Sequence, residues 1–199
     1  MIKNALILLK NELHEYLKSK GDYAANVIID NIGLAETSSG NSLTDNIVIT
    51  LVNIEEESTL KNQNSVRKSP NGNAFYENPP VNINLFVLIT CNYAGDGYVL
   101  ALDRLSMVIQ FLQSKNVFNS SNSSSNDLNE ESVELKFIME LFTLSFEQIN
   151  YLWGSLGGRQ VPFAMYKLRL ISISENAIVR EVPLIEEIET NLFATNKMP

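Results

Sequence analysis

The chain has 199 residues, 45% of them hydrophobic, with 15 basic against 23 acidic side chains for a formal charge of −8. That apolar content excludes wholesale disorder, and the acidic balance opposes nonspecific attraction to nucleic acid or anionic lipid. A lone cysteine makes no intrachain disulfide, the apolar run Ala5–Leu9 is too short for a signal peptide, and nothing approaches the ~18 apolar residues of a membrane span. The protein is therefore expected to fold in a cytoplasm, as a single domain over residues 1–183 followed by a C-terminal arm over 184–199.

Residues 2–20 carry Ile2, Leu6, Leu9, Leu13 and Tyr16 at spacings of four and three, which predicts an amphipathic helix stopped by Gly21. A polar loop follows. Asn46–Ile54 is β-branched and predicts a strand that ends at Glu55, Glu56 and Glu57. These three carboxylates read as a solvated strand end rather than a cation site, because neighbours on a strand point to opposite faces. Residues 58–78 are rich in Asn, Ser, Lys and Pro and predict a flexible exposed connection.

The stretch from Asn78 to Asn92 organises the rest. Val81, Ile83, Leu85, Val87, Ile89 and Cys91 form one apolar parity, while the other begins polar at Asn82 and Asn84 and turns apolar at Phe86 and Leu88. This predicts a central strand covered on one face throughout and on the other only along its later half. Pro79 and Pro80 cannot donate ladder hydrogen bonds and mark where it begins. Asp96 then offers a cap for a helix over 97–113, with Tyr98, Ala101, Leu102, Leu105, Val108, Ile109 and Leu112 inward and Asp103, Arg104, Gln110 and Gln113 outward.

Residues 117–130 include the polar run Asn119–Asn126 and predict a second flexible loop. Val133, Leu135, Phe137 and Met139 alternate with Glu134 and Lys136, as in a strand with one wet face. Ser145 and Gln148 form a capping box, Leu144 and Ile149 a hydrophobic staple, and Gly157–Gly158 a left-handed stop. Between them lies a helix whose inward stripe is Ile149, Leu152, Trp153 and Leu156. Pro162 releases the chain into a strand over 164–173, which residues 174–176 are expected to turn back against 177–182. The arm beyond Pro183 places Leu184, Ile185, Ile188, Leu192 and Phe193 at helix-like spacing and needs a partner.

Taken together, these elements predict an α+β fold: a mixed sheet of about four to five strands with an N-terminal helix and two further helices on it. The chemical inventory is thin. His14 and Cys91 are the only histidine and cysteine, so a zinc cluster is impossible and a Cys–His nucleophile would need those two to meet. The glycines around Arg159 end a helix, whereas phosphate cradles open one. No catalytic residue, metal or cofactor is expected.

Several segments resemble one known family. The run Asn78-Pro79-Pro80-Val-Asn82-Ile-Asn84-Leu85, the helix from Ser145 through Glu147, Gln148, Leu152 and Trp153 to Gly157 and Gly158, and Pro162 with Tyr166 are together similar to the Pvc16 N-terminal domain family. These are cap or tail-terminator proteins of contractile injection systems. The resemblance covers about residues 1–173. It implies a tail-terminator-like fold and a homohexameric ring that ends the inner tube and sheath and anchors the last sheath layer, with no enzymatic turnover. The implied partners are further copies of the chain and the sheath and tube proteins, with no nucleic acid and no direct membrane insertion. Such a particle would assemble in a bacterial cytoplasm and be either released or membrane-anchored. Candidate interface residues are Arg159, Lys167, Arg169, Leu184, Ile185, Ile188, Leu192 and Phe193. Two other readings stay open: a phage tail terminator or completion protein, which does the same job in another particle, and a small-molecule-binding or enzymatic α+β domain, for which the sequence offers no clustered titratable groups.

Overall fold

The computed structural model describes residues 1–35, 37, 43–60, 66–68, 74–78, 80–93, 95–119, 135–173 and 178–182. In chain order the elements are α1 (Ile2–Ser19), β1 (Val27–Ile29), β2 (Asn46–Glu56), β3 (Val66–Lys68), β4 (Ala74–Glu77), β5 (Val81–Asn92), α2 (Tyr98–Ser114), β6 (Val117–Asn119), β7 (Lys136–Leu141), α3 (Phe146–Ser155), β8 (Phe163–Ile173) and β9 (Ile178–Val182). They form two compact units, one of residues 1–61 and 81–173, the other of 62–80 and 174–199.

The larger unit is built on a six-stranded sheet in the order β1-β2-β5-β8-β7-β6. β1 runs parallel to β2 and every other neighbouring pair is antiparallel, so the sheet is mixed. The fold class is the one expected, with more strands. The additional ones, β1 and β6, are three residues each and borrow their stability from longer neighbours.

β5 has a partner along both edges, with Ile89 opposite Ile49 of β2 on one side and Ala164 of β8 on the other. Its two faces feed two cores. One gathers Leu85, Val87, Ile89 and Cys91 with Leu9, Leu13 and Leu17 of α1 and Val108 and Phe111 of α2. The other gathers Phe86, Leu88, Val48 and Met165 with Trp153 of α3. Helices thus lie on both sides of the sheet. Asn82 and Asn84, expected on a half-covered face, are buried as well. The reason is the chain just past β2, where the Glu57 N–H donates to the Asn82 carbonyl (2.8 Å) and the Glu57 carboxylate accepts from Asn84 Nδ2 (2.9 Å).

α2 buries Ala101, Val108 and Leu112 as its periodicity suggested, but the rest of its stripe is displaced. Ala101, Arg104, Val108, Phe111 and Leu112 are buried, whereas Tyr98, Leu102 and Ile109 are exposed. The helix is apolar on most sides, so periodicity alone did not choose a face, and a charge at the centre of the true stripe disguised it. Arg104 is 4% exposed. Its guanidinium donates through Nε and one terminal nitrogen to the two carboxylate oxygens of Asp22 at 2.7 and 2.8 Å, and it lies 4.8 Å from the Tyr93 ring centroid. A buried guanidinium is tolerated only with such a partner. Lys115 reaches Glu12 of α1 at 2.7 Å, a second tie between α1 and α2. The cap of α2 also differs, for Gly97 occupies it without a side-chain hydrogen bond.

The smaller unit contributes a three-stranded sheet in the order β3-β4-β9. Two expectations are corrected by it. The connection over 58–78 contains β3 and β4. The strand after Asn176 pairs with β4 rather than turning back on β8, which β5 pairs along its whole length and β7 over Tyr166–Arg169. Residues 117–119 of the second expected loop form β6, and its remainder lies outside the described residues, as does the arm 184–199.

The Arg104 guanidinium holds the Asp22 carboxyl below its ordinary range. A carboxylate whose pKa falls on folding stabilises the fold above its unfolded value of about 3.9, and that contribution is lost as the pH drops through the folded value. Asp22→Asn is expected to lower stability at pH 7 by about 2 kcal/mol, because it strands a buried cation. Urea unfolding between pH 7 and pH 2.5 checks it, and the variant's stability should fall less steeply than the parent's below pH 4.

Candidate functional site

Nucleophilic or metal chemistry needs converging side chains, and among the described residues no three His, Cys, Asp or Glu are grouped to hold a metal. Cys91 is fully buried beneath the helices, and burial pushes its thiol up to about 12, so at neutral pH it is a small core residue rather than a thiolate. His14 of α1 is only partly exposed, with Nδ1 shielded.

A polar cluster on β5, β7 and β8 gathers around Glu57, just past β2. There the Glu57 carboxylate accepts from Asn84 Nδ2 and, at 2.7 Å, from the Thr59 hydroxyl, while Arg169 approaches it at 3.8 Å. Arg169 also donates to Glu140 at 3.3 Å. These donors lower the Glu57 carboxyl to about 2, the Asn84 amide contributing most. Asn84 Oδ1 and Arg169 Nε are shielded without a hydrogen-bond partner. Lys167, the neighbouring basic residue on that face, lies 5.5 Å from the Phe86 ring centroid. The cluster joins four strands and leaves the two basic residues engaged within the sheet.

The remaining residues singled out from sequence are mostly architectural in their placement. Leu85, Trp153 and Tyr166 are in the cores, and Leu152 and Pro162 are partly buried. Ser145 Oγ accepts from the Gln148 N–H at 3.2 Å and Gln148 Oε1 from the Ser145 N–H at 2.9 Å, the capping box that starts α3. Glu147 lies in the first turn of α3, where a carboxylate suits the helix dipole. Gly157 (φ +102°) and Gly158 (φ +84°) stop the helix in a conformation that side chains resist. Asn78 is exposed, Pro80 half-buried, and Arg159 exposed just beyond the stop. Pro79, Leu184, Ile185, Ile188, Leu192 and Phe193 lie outside the described residues.

What sequence reasoning missed is the apolar surface of the helices. The first turns of α2 expose Tyr98, Val99, Leu100 and Leu102, with Val99 at 68%. Beside them Leu105 and the stretch from Gln160 to Phe163 close a recess of about 410 Å³. On α3, Phe146 is 89% and Tyr151 70% exposed. Large apolar side chains gathered this way are the usual mark of an association surface. The signal in the sequence was the excess of apolar residues in α2 over what one face can bury.

The family model described as "Pvc16 N-terminal domain" matches residues 7–187. Among solved structures, the fold is similar to the PVC sheath/tube terminator of an extracellular contractile injection system in its extended state, at 17% identity and a TM-score of 0.59 over 97% of this chain. It is also similar to the tube terminating cap of the anti-feeding prophage, at 19% identity and a TM-score of 0.55 over 92% of this chain. The chain spans 65% and 59% of the lengths of those two proteins. Among curated proteins none matches.

The Glu57 cluster yields a direct test. Asn84→Ala removes the strongest donor, and the Glu57 carboxyl should rise from about 2 toward the ordinary carboxylate range, read by NMR titration of the side-chain carbon. An unchanged value would place the cause elsewhere.

Proposed function

Because the chain belongs to the Pvc16 N-terminal domain family, we propose that it is the tail terminator of a phage-tail-like contractile injection system. Six copies form a ring on the distal end of the inner tube and sheath, stop polymerisation and hold the last sheath layer. The observation that carries this reading is the fold shared with two terminators over almost the whole of this chain. The exposed apolar surfaces of α2 and α3 support it, since a ring needs a patch on one copy that fits another.

The physical task is one of closure. Head-to-tail contacts between identical subunits propagate without limit, so a polymer ends only when a different subunit offers the adhesive face and no second one. Such a component needs rigidity and matched surfaces rather than a reactive centre, and its role is structural, without turnover. The candidate contacts are the apolar patches of α2 and α3, with Arg159, Lys167 and Arg169, and the arm over 184–199. Sheath and tube proteins are its partners. No described helix is long and apolar enough to cross a membrane.

Electron micrographs of the purified protein should contain sixfold rings. Val99→Glu combined with Leu102→Glu, and separately deletion of residues 184–199, should each convert rings to smaller species in light scattering while the thermal transition stays cooperative. Monodisperse monomers of the unaltered chain at micromolar concentration and above, with no capture by sheath or tube, would overturn the reading.

A further inference from the structure

α2 carries two apolar stripes but rests on the sheet with one. Ala101, Val108, Phe111 and Leu112 are buried along with Arg104, while Tyr98, Leu102, Leu105 and Ile109 form a second line at spacings of four, three and four, about a quarter turn away. The second line borders the recess of about 410 Å³, whose far wall is Val161, Pro162 and Phe163 on the chain entering β8. Both walls and the chain flanking them lie within the described residues 95–119 and 135–173.

On the opposite face of the same sheet, α3 has the complementary shape. It packs over Phe86 and Leu88, where α2 packs over Val87 and Ile89. Its first residue, Phe146, is 89% exposed, more than any other large apolar side chain among the described residues, and the capping box fixes the turn that carries it. Tyr151 donates its hydroxyl to Glu147 at 3.3 Å, and Asn150 and Gly154 lie between the two rings around the outer side of the helix. α3 thus projects a ring where α2 borders a hollow. A chain of formal charge −8 repels its own copies unless the surfaces that meet carry little charge. Both surfaces satisfy that condition, since residues 97–102, 148–158 and 160–166 contain no Asp, Glu, Lys or Arg. Scarce charge together with Tyr and Phe is the composition of an interface core. At ~150–250 Å² for an aromatic side chain, the exposed parts of Phe146, Tyr151, Tyr98, Val99, Leu100 and Leu102 present roughly 700 Å², close to the ~900 Å² of apolar surface in an interface of standard size.

We propose that copies of this chain join head to tail, with Phe146 of one copy seated in the recess beside α2 of the next. Tyr98, Leu102 and Leu105 close on the ring from one side and Val161, Pro162 and Phe163 from the other, while Tyr151 and Val99 extend the contact at its margins. Projection and hollow belong to helices on opposite faces of the sheet, so a joined pair keeps one of each free, and copies add until their rotation closes the assembly. An α2-to-α2 contact would instead pair two copies and stop. Charge favours a copy as the occupant. A partner of another sequence can answer an acidic surface with basic residues, whereas a copy cannot, and uncharged surfaces are what it can share. The pairing rests on the ring of the proposed terminator and adds which surfaces meet in it.

Cross-linking of the full chain tests the pairing. Gln160→Cys marks the rim of the recess and Asn150→Cys the turn beside Phe146, both at exposed positions, while Cys91 is buried and out of reach of the reagent. With a short bismaleimide, a mixture of the two variants should give a covalent dimer, and a chain carrying both substitutions a ladder of rising size. Phe146→Ala in the Asn150→Cys chain should remove the link and weaken self-association about tenfold or more in sedimentation, as expected of a buried aromatic anchor. Its thermal transition should be unchanged, because the ring is exposed in the single copy. Self-linking of either variant alone, a mixed link that survives Phe146→Ala, or sixfold rings that form without the mixed link would overturn the pairing and leave the terminator reading standing. Monomers at every concentration would also overturn the pairing, and the terminator reading would then be decided by capture on sheath or tube.

Discussion

The structure depends on β5 being enclosed on four sides. A strand buried on both faces has no side chain to spare for water, so every neighbour must supply apolar surface or a matching hydrogen bond. β2 and β8 complete its ladders, α1 and α2 cover one face, and α3 covers the other through Trp153. Where the sequence left polar residues on that strand, the chain past β2 bends back and brings Glu57 to Asn84. The Glu57 cluster is thus a consequence of enclosure, giving the buried Asn82 carbonyl and Asn84 amide a partner.

The same logic governs Arg104. A guanidinium in the middle of a helix face that must be buried costs more than any apolar residue there, and it is tolerated because Asp22 presents both oxygens and Tyr93 a ring. In exchange α2 is tied to the turn after α1 in one orientation, and the rest of its apolar surface, with Tyr98, Val99, Leu100 and Leu102, faces outward. A helix locked this way presents a defined surface. The buried ion pair thus helps to fix where the exposed apolar residues lie.

The larger unit has its own sheet with cores on both faces, and the smaller is a short antiparallel sheet drawn from two distant stretches of chain. The exposed apolar residues of the larger unit lie largely on helix faces, while its enclosed strands form the interior.

Much was legible in the chain because it is written in local pattern. The two-residue period of β5, the capping box and glycine stop of α3, and the heptad-like stripe of α1 each encode an element through contacts within a few residues. The family resemblance was legible too, in the run from Asn78 to Leu85 and the helix from Ser145 to Gly158, and the family model matches residues 7–187. The pairing of β9 with β4, the three-residue β1 and β6, and the buried Arg104 in the inward face of α2 were not. Each of them depends on which edge or face is already occupied by a distant segment. The sequence by itself determined the elements, because backbone and side-chain preferences act at short range. Tertiary structure alone decided which surfaces stay exposed, because exposure is what remains after every other segment has been placed.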